Sequence, residues 1–229
     1  MTEEQKVPAC IGIILDGNRR WAKAKGLPKL EGHRVGLLDT LKNTVRLVQK
    51  RDIKHLVVFM LSTENWNREP AEVSYLMDLF RESIKGDLRE LIAEGACVRF
   101  VGQRERFSTD LQQAMVEIEQ ESKNNTEITL WACLSYGGRA EIIEAARAMQ
   151  KSGEEITEES FKNNLWTAGM PDPDIIIRTG GAKRLSNFLT WGSTYSELFF
   201  IDTFWPDFSE VELDRILHEY GERERRMGR

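Results

Sequence analysis

The stretch Ile13-Ile14-Leu15-Asp16-Gly17-Asn18-Arg19-Arg20-Trp21 decides how this chain is read. The apolar run over residues 11–15 reads as a short buried strand. Gly17 and Asn18 cannot prolong it, because both are turn residues that accept positive φ. The strand therefore ends in one carboxylate, free backbone N–H groups and two guanidiniums. In an open α/β sheet, ligands bind at the carboxyl ends of the strands. Backbone N–H groups and arginines together favour a phosphate or diphosphate. Asp16 repels such an anion unless a divalent cation lies between them, so the turn reads as a metal-assisted diphosphate site. A surface hairpin with an incidental Asp-Gly turn is the plain alternative.

Working outward, residues 11–15, 55–61, 98–101, 128–135, 174–177 and 198–201 have strand-like composition. Helical patterns separate them at 34–50, 71–94, 110–123, 139–150 and 158–166, and a last one covers 210–226. Strands alternating with long helices imply parallel pairing through right-handed crossovers. The helix after Pro70 carries Val73, Leu76, Met77, Phe80, Ile84, Leu88, Leu91 and Ile92 at three- and four-residue spacing. That stripe faces the core or lines a hydrophobic cavity, and periodicity alone does not separate the two. No repeat, low-complexity tract or linker divides the chain. The expected fold is one α/β domain over residues 1–229, with a mostly parallel central sheet of about six strands flanked by helices.

Composition narrows the function classes. With 229 residues and 41% hydrophobic content the chain can bury a full core. A net charge of −5 speaks against a nucleic-acid partner. The basic residues nevertheless cluster at 19–29, 178–184 and 223–229, which suits small anionic substrates. Cys10, Cys97 and Cys133 are scattered in apolar segments and read as buried free thiols of a reducing, cytoplasmic compartment. The polar opening MTEEQK is unlike a signal peptide, and no apolar run reaches the length of a membrane span. Any work on lipid is therefore expected from the membrane surface.

Two further constellations follow strands. Ser62-Thr63-Glu64-Asn65-Trp66-Asn67-Arg68 precedes the helix-starting Pro70. Helix capping accounts for one of these residues and leaves the rest for a ligand. The run Arg178-Thr179-Gly180-Gly181-Ala182-Lys183-Arg184-Leu185-Ser186-Asn187 is a second anion cradle. Glu197, in Tyr195-Ser196-Glu197-Leu198, is a candidate second carboxylate for a hard cation. Two anion sites, acids for magnesium and an apolar stripe suggest the joining of two phosphorylated apolar molecules.

Here the residues resemble a known family, the cis-prenyltransferases, most closely the undecaprenyl diphosphate synthases. The matching blocks are DGNRRWA at 16–22, STENWNR at 62–68, YGGR at 136–139, IRTGG and RLSNF within 177–188, WxxxYSEL at 191–198, WPDF at 205–208 and ERRMG at 224–228. They run in order along nearly the whole chain. The resemblance implies extension of an allylic diphosphate, such as farnesyl diphosphate, by isopentenyl diphosphate units with cis geometry, and an apolar tunnel for the growing chain. It implies an undecaprenyl-type product serving as a cell-wall glycan carrier, with a shorter-chain synthase as the alternative. By resemblance, Asp16 binds Mg2+ on a diphosphate. Gly17, Asn18, Arg19, Arg20 and Trp21 hold the allylic head group, with Lys29 and His33 beside it. Ser62, Thr63, Glu64, Trp66 and Arg68 belong to the substrate-binding set, and Arg178, Arg184, Leu185 and Ser186 hold isopentenyl diphosphate. Glu197 matches a second magnesium ligand placed near a neighbouring subunit. Asn65 matches a residue taking part in proton removal; an amide is a very poor base, so it is expected to orient groups instead. The resemblance also implies a homodimer completed by the C-terminal Arg225-Arg226-Met227-Gly228 block, with peripheral membrane contact for product release.

Four positions depart from the family pattern. Cys10 replaces a frequent histidine. Lys29 replaces an arginine, which keeps the charge and loses the bidentate fork. Leu61 replaces an aromatic, and Met60 stands where long-chain members often have a small residue beside the tunnel. Competing classes fare worse. A haloacid-dehalogenase-type phosphatase needs a nucleophilic aspartate two residues before Asp16, and Ile14 is there. A non-catalytic scaffold subunit is expected to lose the acid or the arginines, and this chain keeps Asp16, Arg20, Arg178, Arg184 and Glu197.

Overall fold

The computed structural model describes residues 7–223. Six strands form one sheet: β1 (Cys10–Ile14), β2 (His55–Ser62), β3 (Ala96–Val101), β4 (Ile128–Tyr136), β5 (Ile175–Arg178) and β6 (Glu197–Phe200). Their spatial order is β3-β4-β2-β1-β5-β6, and every neighbouring pair is parallel. The expected "mostly parallel" sheet is thus wholly parallel, in a single α/β domain. From β1 the chain places β2 beside it, goes to the edge for β3 and comes back to insert β4 between β2 and β3, then crosses to the other side of β1 for β5 and β6. The crevice between β1 and β5 is therefore a topological switch point, where such sheets bind ligands. In the register Ile14 sits opposite Arg178, so the Asp16 turn and the Arg178 loop leave the sheet side by side.

Both faces of the sheet are covered. Ile11, Ile13, Leu56, Val58, Ile175 and Ile177 point into the larger core with helices α3 (Leu41–Gln49), α4 (Pro70–Lys85), α5 (Asp87–Ala93), α6 (Thr109–Ser122) and α9 (Glu210–Glu222). Cys10, Ile14, Val57, Phe59, Cys133 and Ile176 point the other way, against Phe188 and Met170. This period-two division explains why β1 reads as an unbroken apolar run: both of its faces are buried. The three cysteines are free and buried. Helices α7 (Gly138–Ser152) and α8 (Glu158–Asn163) complete the second layer.

Several expected boundaries shift for identifiable reasons. The 71–94 helix breaks at Gly86, whose φ of −114° and ψ of −88° are not helical, into α4 and α5. The 34–50 helix is preceded by α2 (Glu31–Arg34) and passes through a π-helical turn, Val35–Thr40, before α3. That turn brings the Gly36 carbonyl to the Trp205 indole N–H at 2.8 Å. A helix absent from the sequence reading, α1 (Asn18–Ala24), starts directly after Gly17, which takes φ 107°. The turn residues thus launch a helix that carries Arg19 and Arg20. The last helix ends at Glu222, and residues 224–228 lie outside the described region. Among the described residues no helix is long and apolar enough to cross a membrane.

Candidate active site

Asp16 is held by backbone and side chain alike. Its N–H donates to Thr179 Oγ1 (3.0 Å), and its carbonyl accepts from the Thr179 hydroxyl (2.7 Å) and the Trp205 N–H (3.0 Å). Its carboxylate oxygens receive Arg20 Nη2 at 3.0 Å and Arg178 Nη2 at 2.9 Å. Arg20 also donates to the Gly180 carbonyl at 2.7 Å. Gly180 has φ 80°, and a Cβ there would lie 2.6 Å from Arg20 Nη2, so this approach requires glycine.

The second cradle surrounds Arg178, whose guanidinium is only 4% exposed. Its Nη1 donates to the Arg184 carbonyl (2.6 Å) and to Ser186 Oγ (2.8 Å), which Arg184 Nε also reaches at 3.2 Å. Ser186, Asn187 and Leu189 all have positive φ, from 46° to 68°, a cost that non-glycine residues meet only where surroundings enforce it. Asn187 is enforced on two sides. It accepts the N–H groups of Gly138 and Arg139 at 2.8 Å, and it donates to Glu64 Oε1 at 3.1 Å. The YGGR block thus has a task the sequence did not disclose: it clamps the strained loop to the Ser62–Arg68 segment. Burial pushes the Glu64 carboxyl up, and donors from its own backbone, Ser62, Asn187 and Thr63 outweigh that and hold it low. In the same segment Asn65 Oδ1 accepts the Ser62 N–H at 3.1 Å. The amide is thereby oriented with its NH2 as the free end, a donor.

A third group centres on Glu72, which the sequence reading missed. Glu72 is 3% exposed on the first turn of α4. It meets Lys29 Nζ at 2.9 Å, Arg68 Nη1 at 2.9 Å, Arg19 Nη1 at 3.7 Å and His33 Nε2 at 3.7 Å. Burial pushes its carboxyl up, and the Lys29 bond with the Arg68 and Arg19 charges more than offsets that, keeping it below the usual range. His33 is lowered to about 4, first by burial, then by the Arg68 charge, against an opposing pull from Glu72. The one sequence signal for Glu72 is its i,i+4 spacing from Arg68; its burial is tertiary.

Two adjoining cavities, of about 590 and 860 Å3, open at this switch point and share Leu15, Asp16, Asn18, His33 and Arg68. The first is lined by the polar Arg178, Arg184 and Ser186 and by the apolar Leu37, Met60, Leu76 and Phe80. The second is bordered by Arg19, Arg20, Lys23 and Lys29. Among the described residues, the buried side-chain polar atoms without a hydrogen-bond partner are Asn18 Oδ1, His33 Nε2 and Arg178 Nε. All three residues line the first cavity. Buried polar atoms in folded proteins are nearly always paired. Three orphans around one cavity mark a place for a polar ligand.

Most expected site residues converge here. Gly17, Arg19, Arg20 and Lys29 border the second cavity, Ser62, Glu64, Asn65, Arg178, Arg184 and Ser186 the first, and Asp16, Asn18, His33 and Arg68 both. Five expected residues line neither. The Trp21 indole is turned to Asp207 Oδ1 (2.7 Å). Trp66 donates to Ser135 Oγ (2.9 Å), meets Phe107 edge-on and lies under Arg106, so it is part of the supporting wall. Thr63 packs against Gly137, and Leu185 against the core on the Phe188 side. Glu197 opens β6 opposite Ile175, at the amino ends of the strands, and pairs with Arg223 at 2.7 Å. Asp16 lies at the carboxyl ends, so within one chain these two acids cannot share a metal. Among the described residues no three or more His, Cys, Asp and Glu side chains converge on one point. A lone Asp16 carboxylate fits a hard cation such as magnesium, which keeps several waters and uses substrate phosphate oxygens.

Fold and site together define an α/β protein shaped for an anionic head group on an apolar body. Residues 14–228 match the family model described as "Putative undecaprenyl diphosphate synthase". Isoprenyl transferases of Neisseria gonorrhoeae and Aquifex pyrophilus are each 43% identical, over 99% and 98% of this chain and 92% and 97% of theirs. Lavandulyl diphosphate synthase from Lavandula x intermedia, solved with dimethylallyl diphosphate, superposes with a TM-score of 0.92 at 33% identity, covering 97% of this chain and 98% of that one. A probable undecaprenyl diphosphate synthase from Campylobacter jejuni gives 0.84 at 28% identity, over 98% and 100%. The chain belongs to the undecaprenyl diphosphate synthase family of isoprenyl transferases and is a prenyl-transferring enzyme.

Proposed function

We propose that this enzyme condenses isopentenyl diphosphate onto an allylic diphosphate, such as farnesyl diphosphate, and builds a cis-polyprenyl diphosphate. The observation that carries the reading is the set of buried atoms of Asn18, His33 and Arg178 left without hydrogen-bond partners around a cavity lined by both basic and apolar side chains. The lavender relative was solved with an allylic diphosphate, which supports the same ligand class here.

Asn18, Arg19, Arg20, Lys29, His33 and Arg68 hold the allylic head group. Arg178, Arg184 and Ser186 hold the isopentenyl diphosphate, and the apolar lining that includes Met60, Leu76 and Phe80 receives the growing chain. Asp16 would hold magnesium, which when bound would supply positive charge for the departing pyrophosphate, where the transition state needs help. Arg20 and Arg178, already aimed at Asp16, add fixed donors at the same place. The allylic C–O bond breaks with its electron pair leaving on pyrophosphate, and the isopentenyl double bond supplies the new C–C bond. One proton is then lost. Asn65 presents an NH2 and no basic atom, so it orients the isopentenyl unit while a phosphate oxygen or water takes the proton.

Product of the undecaprenyl type, used as a glycan carrier, is the reading that the family favours. A shorter product is the second reading, on the ground that the bulky Met60 side chain lines the cavity. We further propose a cytoplasmic homodimer with peripheral membrane contact. Among the described residues no further strand lies beside β6, and Leu198 is 38% exposed on that edge. At the opposite edge, Ser122 and Glu119 side chains accept the Val98 and Phe100 N–H groups and cap β3. Across a dimer, Glu197 could act on the neighbouring site; the Arg225–Gly228 block expected to complete that site lies outside the described residues. Mass spectrometry of the product made from isopentenyl diphosphate and starters of different length tests the reading, and absence of any condensed product overturns it.

A further inference from the structure

Glu72 stands behind the head-group residues and does not itself border the cavity. One of its carboxylate oxygens meets Arg68 and His33, and the other meets Lys29 and Arg19. These partners come from α1, α2, the loop between them and the segment before α4, so a single buried acid ties four separate stretches of chain to one point. All four partners line the larger cavity. Arg19 and Lys29 are each about half exposed, at 50% and 48%, and have an open route to solvent. Three full cations this close repel one another and would splay outward without a shared counter-charge. Three positive charges against one negative leave a net positive face toward the cavity.

We propose that Glu72 is a positioning residue, a buried counter-charge that holds Arg19, Lys29 and Arg68 in the geometry that takes the allylic diphosphate. The inference rests on the reading of this cavity as a diphosphate site. It makes an unusual demand: removing a negative charge beside an anion site weakens anion binding, because the lost order of the cations outweighs the gain in net charge. The isopentenyl cradle at Arg178, Arg184 and Ser186 has no contact with Glu72 and is spared.

The test is calorimetric binding of inorganic pyrophosphate, at low salt without metal, to wild type, Glu72→Gln and Glu72→Asp, with thermal melts of each. The expected result is a loss of at least about tenfold in affinity for Glu72→Gln and partial recovery in Glu72→Asp. In turnover, Glu72→Gln raises KM for the allylic substrate about tenfold and leaves KM for isopentenyl diphosphate within about twofold. Equal or tighter pyrophosphate binding by a folded Glu72→Gln overturns the proposal, as does an equal rise in both KM values. Should Glu72→Gln not fold, Glu72→Asp decides: its acid is one methylene short, and unchanged affinity and allylic KM refute the role. A wild type that binds no pyrophosphate overturns the diphosphate reading itself, and the proposal falls with it.

Discussion

Replacing His33 by Gln should flatten the acid limb of the stability curve. His33 is 11% exposed in its side chain, and burial followed by the Arg68 charge lowers its pKa from 6.5 to about 4. Between those values the unfolded chain binds a proton that the folded protein refuses. The slope of stability with pH is then positive, so the His33 contribution is complete above pH 6.5 and is lost as pH falls toward 4. The full gap corresponds to about 3 kcal/mol. Between about pH 7 and about pH 4.5 the wild type should lose about 2 kcal/mol through this group alone. Glu72 does not cancel the effect, because its neighbours keep it ionised through this window. The assay is denaturant unfolding of both proteins at a series of pH values. The stability difference between them should swing against the wild type by that amount as pH falls. A difference constant to within about 0.5 kcal/mol would show that His33 is not held neutral by burial and its cationic neighbours.

Asp16→Ala should abolish turnover and also cost about 1–3 kcal/mol of stability, because the buried Arg178 loses its carboxylate partner; an active variant would refute the role. Exhaustive chelation should stop catalysis and added magnesium should restore it, and full activity after chelation contradicts the Asp16 assignment. Met60→Ala should lengthen the product by at least one isoprene unit and Met60→Trp should shorten it, since this side chain borders the cavity; identical mass spectra would place length control deeper, toward Phe80. Trp66→Phe should cost about 1 kcal/mol through the lost bond to Ser135, with both KM values within about twofold of wild type. A selective loss of substrate affinity in that variant would return Trp66 to the binding set.

The class of fold, and the charged and turn residues that make up the two cradles, are legible in local sequence patterns. Apolar runs of strand length, helical stripes between them and turn residues after them are local patterns, and a buried parallel strand such as Cys10–Ile14 is apolar on both faces whatever packs on it. The motif residues Asp16, Arg20, Arg178, Arg184 and Ser186 were legible because each block carries more charge and turn chemistry than its local structure needs. Only tertiary structure decided which members of those blocks face the cavity. Trp66 and Trp21 sit in the same motifs as binding residues, yet their indoles are turned to Ser135 and Asp207. The place of Glu197 depends on strand order, which puts it at the opposite end of the sheet from Asp16. Glu72 was invisible because a glutamate on an exposed helix turn and one buried under four basic groups have the same sequence. What separates them is the approach of segments far apart in the chain, and that is a property of packing.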